Sequence, residues 1–417
     1  MIGCGVISSF TGFTFAYFWH NPSSRAWFEI EFWKQWLRFG ETLRLSHTEY
    51  HDVNKSKYYI LTESAIRGMV SSLDSHSSYY DSRQYSIFQD DSKRQYYGIG
   101  VMIRAIESGV IVTKVFPEGP AEKVGLKVGD LIVKVNQEKV EGLELVSISS
   151  RIKGDEGSFV EIEIKRKEDF HVFQVQRGQI KVSTVDNYFV DEHKIGFVHL
   201  TQFSPRSRIE LANALKEMIS QGMEGLILDL RDNAGGLLSS AIDVSSFFLP
   251  NDQLLVELRG KGKNENRSFR TKAIEPKLDI PMMVIINESS ASASEIVAGA
   301  LSVLGRAKTL GEKSYGKGSV QTIYPLSDDS GLRLTTAMYY LPDGSTIHEE
   351  GLHPDYLVDF SDENESKLRI QRNLNNKNIN LLDFRDIFGF TPIVDLQIEE
   401  AKRILYLELN KSLLKDK

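Results

Sequence analysis

The stretch PMMVIINESSASASEIVAGALSVLGRAKTLGEKSYGKGSVQ, residues 281–321, decides the fold of this chain. It opens with an unbroken apolar run, Met282 to Ile286, the pattern of a buried strand. A serine-rich turn, Ser289 to Ser294, leads into an apolar helix over Glu295 to Leu304. After Gly305, Lys308 to Leu310 reads as a second strand, followed by Gly316-Lys317-Gly318. Strand, turn, helix, strand is α/β material. Ser292, with Glu295 three residues on, first reads as a helix capping box. A serine at a sharp strand-to-helix turn can also project its hydroxyl near the positive helix end, where it needs a base. Lys317 taken alone is a solvated turn lysine. Held between glycines, with Tyr315 and Val320 nearby, it is also a candidate base. A base must be neutral, so its pKa has to fall from about 10.4 toward about 7–8, at roughly 3–5 kcal/mol of differential solvation.

The pattern continues on both sides. Ile195 to Leu200 and Leu226 to Leu230 read as strands, Ser207 to Gln221 and Leu237 to Leu249 as helices, and Arg231 to Gly236 as a loop. Beyond Phe360 the chain turns polar, with Asn375 to Asn378 as a loop and Glu399 to Leu414 as a closing helix. Residues 23–95 look helical, most clearly over Glu63 to Leu73.

Between these lies a compact β-rich module. Strands are expected at 101–106, 109–115, 131–135 and 159–165, with short helices at 121–124 and 143–152. In Gly98-Ile99-Gly100-Val101, successive backbone N–H groups can converge on a carboxylate, beside a strand edge open to an extended peptide. The order of elements resembles a PDZ domain over about 80 residues.

The totals bound the rest. A 417-residue chain accommodates roughly two to four domains. Hydrophobic residues make up 41% and charged residues 26%, ordinary globular values. A net charge of −7 argues against a nucleic-acid partner. The single cysteine, Cys4, leaves no disulfide framework and no cysteine-based zinc site. Residues 1–24 carry no Asp, Glu, Lys or Arg, and Ile2 to Phe18 is apolar and ends in aromatics, as in a signal or membrane anchor. No basic residue precedes this run, and Ser8, Ser9 and Thr11 interrupt it.

Three lookalike motifs fail. Gly311 to Lys317 matches a P-loop only as far as its lysine; Gly318 follows, and Ser319 to Pro325 reads as a strand where a helix is required. His348-Glu349-Glu350-Gly351-Leu352-His353 is one residue too long for a zinc-protease motif. Ser-x-x-Lys occurs at Ser150, Ser314 and Ser412 without its companion motifs. None of the nine histidines has a recognisable triad context.

Taken together, NESSASASEIVAGAL with GEKSYGKGSVQ resembles the catalytic signature of the carboxyl-terminal processing proteases, the tail-specific serine peptidases of family S41. LILDLRDNAGG at 226–236, VSSLDSHSSYY at 70–80 and LPDGSTIHEEGLHPDYLV at 341–358 resemble further motifs of that family, the last its closing strand pair. The resemblance spans roughly residues 60–360, in family order. It implies a multidomain α+β protein: an apolar signal- or anchor-like segment (1–22), a helical region (23–95), a PDZ domain (96–180), an α/β peptidase core of crotonase/ClpP-like type (181–360) and a helical C-terminal region (361–417). It also implies Ser292 as nucleophile, Lys317 as base, and Gln321 as the residue that orients the lysine amine. The N–H groups of Ala293 and of Gly235 or Gly236 would form the oxyanion hole. The choice of Ser292 over Ser290 and Ser294 rests on the resemblance. Ala234 and Ser75 stand where the family carries prolines, and Val303 where some members carry an aspartate. The implied protein uses no cofactor and no metal. It takes protein substrates with free apolar C-termini, works outside the cytoplasm or facing the periplasm from a membrane anchor in residues 1–20, and can form homo-oligomers through its terminal helices. A non-catalytic PDZ scaffold is the alternative, and a nucleotide hydrolase built on the near-P-loop a more distant one.

Overall fold

The structure, a computed structural model, describes residues 30–93, 97–106, 109–180, 183–262, 265–373 and 381–415. The expected signal or anchor segment and the loop at 375–378 lie outside them. Among the described residues no helix is long and apolar enough to cross a membrane. The chain divides into two compact units.

The smaller unit comprises residues up to 85 together with 322–334. Its helices are Ile30–Glu49, which buries no residue, and Tyr58–Ser71. The Asp74 carboxylate accepts the N–H groups of His76 and Ser77, both at 2.7 Å, so the turn with Ser75 in place of proline is still closed by the aspartate. The chain then forms a strand, Ser78–Tyr80, antiparallel to Gly331–Arg333. The sequence suggests only helix here, because the strand is three residues long and its partner is remote. Gly331 packs against Tyr85, whose ring atoms lie 2.5 Å from where a Cβ would be.

The larger unit contains the PDZ-like module and the α/β core. The module's antiparallel sheet runs in the order 101–106, 109–115, 131–135, 159–166 and 169–176. Ile132, Ile148, Val160, Ile162 and Ile164 fill its centre. Helix Leu145–Ile152 packs beside the edge strand Val101–Ile106. The last strand, Asp169–Gln176, is not suggested by the sequence; Phe173 and Val175 pack inward while Phe170 and Val172 face solvent, so apolar residues stand on both faces and the period of two does not show. A part-buried ion pair, Lys114 with Asp186, joins the module to the core strand Val185–Val190.

The core sheet runs 185–190, 195–200, 225–229, 282–286, 308–311, 356–357, antiparallel at its first pair and parallel thereafter. Its central strands are covered on both faces, which is why they read as unbroken apolar runs. Leu226, Leu228, Val284 and Ile286 point toward helices Ser207–Ser220, Leu238–Ser245 and Ala293–Val303. Ile227, Met283 and Ile285 point the other way, onto Ala401, Ile404 and Leu405 of the C-terminal helix Leu396–Lys415. The strand pair expected over 341–358 reduces to Tyr356–Leu357 and an isolated bridge between Tyr340 and Thr346. Pro342, Gly344, Gly351 and Pro354 break the run, and its middle packs as loop against the lysine segment.

Candidate active site

The nucleophile candidate sits where the central strand Met282–Ile286 turns into helix Ala293–Val303. Ser292 has φ 56° and ψ −111°. A non-glycine residue in such a conformation costs on the order of 1–3 kcal/mol and persists only where its surroundings over-determine it. The contacts that do so are visible. Ala291 N–H donates to Asn233 O at 3.0 Å, Ser294 N–H to Ala291 O at 3.1 Å, and Ser292 N–H to Glu295 Oε2 at 2.8 Å. The last is the carboxylate half of the capping box read from the sequence.

The three serines of the turn are not equivalent. Ser290 Oγ donates to Leu230 O at 2.8 Å and Ser294 Oγ to Asn233 O at 2.7 Å, and both residues are fully buried. Their hydroxyls stitch the turn to the neighbouring loop. Ser292 alone is part-exposed and strained. Among the described residues no histidine hydrogen-bonds to it.

Glu295 does more than cap the helix. Its fully buried carboxylate accepts Ser314 Oγ–H and Gly316 N–H, each at 2.6 Å, through Oε1, and Lys317 N–H at 2.9 Å through Oε2. That Oε2 also holds Ser292 N–H, so one carboxylate oxygen places the main chains of Ser292 and Lys317 within two hydrogen-bond lengths of each other. The glycines around Lys317 are explained by close packing. Gly316 has φ 90°, and a Cβ on Gly318 would fall 2.5 Å from His348 N. Lys317 is half-buried, and among the described residues its Nζ makes no hydrogen bond or ion pair. Gln321 Nε2 reaches Ser319 Oγ at 2.9 Å and Thr335 Oγ1 at 3.3 Å rather than Lys317.

The loop 231–236 packs directly on the Ser292 turn. A Cβ at Gly235 would fall 2.9 Å from both Ala293 N and Ser292 Cβ. At Gly236, φ 144°, it would meet Phe203 O at 2.0 Å. Both positions therefore require glycine. Their N–H groups differ. Gly235 N–H donates to Asn233 Oδ1 at 2.9 Å, whereas Gly236 N–H and Ala293 N–H have no acceptor among the described residues. Gly235 is buried and Gly236 exposed. Of the two alternatives left open by the sequence, Gly236 is the one with a donor to offer. Ala234 is exposed, so the missing proline removes no contact there.

Beneath the loop lies an ionic network. Asp229 and Arg231 are both fully buried and paired at 2.6 Å. Burial alone would raise the Asp229 pKa, but Arg231 outweighs it and holds the carboxyl at about 2. Burial likewise opposes the charge on Arg231, and Asp229 and Asp395 more than restore it. Asp232 is lowered despite burial, by Arg372, Asn287 and Arg369.

The PDZ-like loop is ordered by its own module. Ile99 O accepts Ala121 N–H at 2.7 Å, and Gly100 O accepts Phe116 N–H at 2.9 Å. Val303 is 39% exposed at the end of the serine helix. Among the described residues no group of three or more His, Cys, Asp or Glu is arranged to hold a metal. The residues that sequence reasoning missed are Glu295 in its bridging role, Asn233 and Asn287. Glu295 was visible as a cap; its second set of partners, some 20 residues on, was not.

The model of peptidase family S41 matches residues 194–358, and that of the PDZ domain residues 98–176. A carboxy-terminal-processing protease of Bartonella bacilliformis is 38% identical over 336 residues, covering 78% of this chain and 76% of that protein. The carboxy-terminal processing protease CtpB of Bacillus subtilis is 35% identical over 300 residues, 70% of this chain and 62% of that one. A solved photosystem II D1 C-terminal processing protease aligns at 28% identity and TM-score 0.47, over 78% of this chain and 92% of that chain. With the strained serine turn, the glycine-bracketed lysine and the PDZ module in one chain, the protein belongs to peptidase family S41, among the PDZ-bearing carboxy-terminal processing proteases.

Proposed function

We propose that the protein is a serine endopeptidase with a Ser292–Lys317 dyad. The observation that carries this reading is the shared Glu295 oxygen, which ties the strained Ser292 to Lys317 through their main chains. Ser292 Oγ attacks the scissile carbonyl, and its proton passes to Lys317 Nζ. The amine returns it to the leaving nitrogen, and water resolves the acyl-enzyme. Gly236 and Ala293 N–H groups receive the oxyanion, a role that backbone donors fill without reorganising during the reaction. Gln321, two residues from Ser319 on the same strand, orients the lysine amine once substrate displaces its present partners.

The PDZ module supplies the substrate's tail. Val101–Ile106 is an edge strand flanked by helix Leu145–Ile152, with Gly98, Ile99, Gly100 and Val101 at its head. An extended C-terminal peptide can add there as a further strand, its carboxylate toward the loop and apolar side chains toward the helix. No cofactor is used. The apolar residues 1–22 support a site of action outside the cytoplasm, with cleavage or anchoring of that segment decided by N-terminal sequencing of the mature protein.

The test uses an unstructured protein with an apolar C-terminus, with and without chelator. Cleavage that survives chelator and is lost in both Ser292→Ala and Lys317→Ala is the expected result. Cleavage persisting in Ser292→Ala removes the dyad, and tail binding without any cleavage by the wild type favours a scaffold.

A further inference from the structure

The C-terminal region grips the oxyanion loop at two consecutive residues. Arg231 sends its Nη1 to both carboxylate oxygens of Asp395, at 3.0 and 2.8 Å, and to Gln397 Oε1 at 2.9 Å. Asp395 immediately precedes the C-terminal helix Leu396–Lys415. The next residue, Asp232, has φ 57°, a left-handed conformation that a non-glycine residue keeps only when its neighbours fix it. Its carboxylate is held by Arg372 and Arg369 of helix Asp362–Asn373, each at 3.1 Å. Asn287, at the end of the serine strand, closes the ring. It accepts Asp232 N–H at 3.0 Å and donates to Asp232 Oδ1 at 3.1 Å.

Backbone donors have no side chain to aim them. The direction of Gly236 N–H is set by the loop that carries it, and small misplacements of such a donor are costly in rate. The loop's other end is fixed by glycine contacts to Phe203 and the Ser292 turn. Its beginning is fixed by residues more than 130 positions later in the chain. We propose that residues 362–397 act as a positioning element for the oxyanion loop: Asp395 through Arg231, and Arg372 through Asp232, set the rate of the chemical step without touching substrate. This rests on the Ser292 protease reading.

The experiment uses the full chain with Asp395→Asn, Arg372→Gln and the conservative Arg372→Lys. Three quantities are read from each variant that melts cooperatively: kcat and KM on an unstructured peptide, and hydrogen exchange across residues 230–237. The expected result is a kcat reduced about tenfold or more with KM within about twofold, the signature of lost transition-state stabilisation. Faster exchange of the loop and partial recovery in Arg372→Lys accompany it. Folded variants with wild-type kcat and wild-type loop exchange overturn the proposal. Lower stability with an unchanged kcat also overturns it, since that is what a merely structural tie gives. Should Asp395→Asn fail to fold, the two Arg372 variants carry the test. If the wild type itself cleaves nothing, the protease reading fails, and the exchange measurement still decides whether these residues order the loop.

Discussion

Ser290, Ser292 and Ser294 are indistinguishable by composition, and each occupies a turn that a serine favours. Their separation comes from the third dimension. Two hydroxyls donate to carbonyls of loop 230–233, about sixty residues earlier, and one does not. Sequence periodicity has no access to such contacts, so the residue-level choice came from resemblance. The choice has consequences that differ by position. Ser292→Ala abolishes turnover with the melting temperature nearly unchanged. Ser290→Ala leaves the buried Asn287 N–H without its acceptor and lowers stability by about 1–3 kcal/mol; Ser294→Ala, whose acceptor Asn233 O keeps Ala291 N–H, costs about 0.5–1.5 kcal/mol; both retain activity, as thermal melts and peptide assays on the same preparations will show. Gly236→Ala forces a Cβ into Phe203 O and so moves the loop; kcat falls by on the order of 10²–10³, the cost of losing one oxyanion donor, while a stoichiometric serine-directed label still reports Ser292.

Elements were legible in proportion to how completely one sheet face or both decide their pattern. The strands at 195–200, 225–229 and 282–286 are sandwiched by helices and read as continuous apolar runs. The strands at 78–80 and 356–357 are too short for any period to show. Between elements, charge crowding makes a measurable mark. Glu312 follows the strand Lys308–Gly311, and its pKa is raised by burial and by Glu365, Asp359 and Glu288. A carboxyl whose folded pKa exceeds its unfolded value opposes folding when ionised, and that opposition is relieved as pH falls through the folded pKa. Glu312→Gln keeps the carbonyl that accepts Phe360 N–H. It therefore raises the melting temperature at pH 7, and the gain shrinks as the pH is lowered toward 4.5.

At the scale of the molecule, the C-terminal helix is part of the core rather than an appendage. The sequence shows it as a closing helix, and only the family resemblance implies terminal helices that can join copies; which surface it covers here depends on a sheet face that no local pattern reveals. Ala401, Ile404 and Leu405 complete that face. Leu405→Ala is expected to cost about 2–5 kcal/mol in denaturant unfolding, the range for emptying a buried leucine site. The ionic network under loop 231–236 has the opposite pH sense to Glu312. Asp229 is held at about 2 against 3.8 when free, so its contribution is fully present above 3.8 and is lost as pH falls through about 2. Asp229→Asn should thus destabilise most at neutral pH, with its deficit shrinking in acid melts below pH 3.8.

The Glu295 carboxylate also bears on descent. Because one side chain folds both the serine turn and the lysine loop, the two motifs cannot drift apart in sequence one at a time. A descendant that lost the Ser292 hydroxyl would still need the glutamate to fold this corner, so retaining it would be no sign of activity. A descendant that replaced the glutamate would lose the frame of the Ser292 turn and the Lys317 loop together. Among relatives of this chain, a substitution at the position of Glu295 is therefore expected to come with changes in both segments.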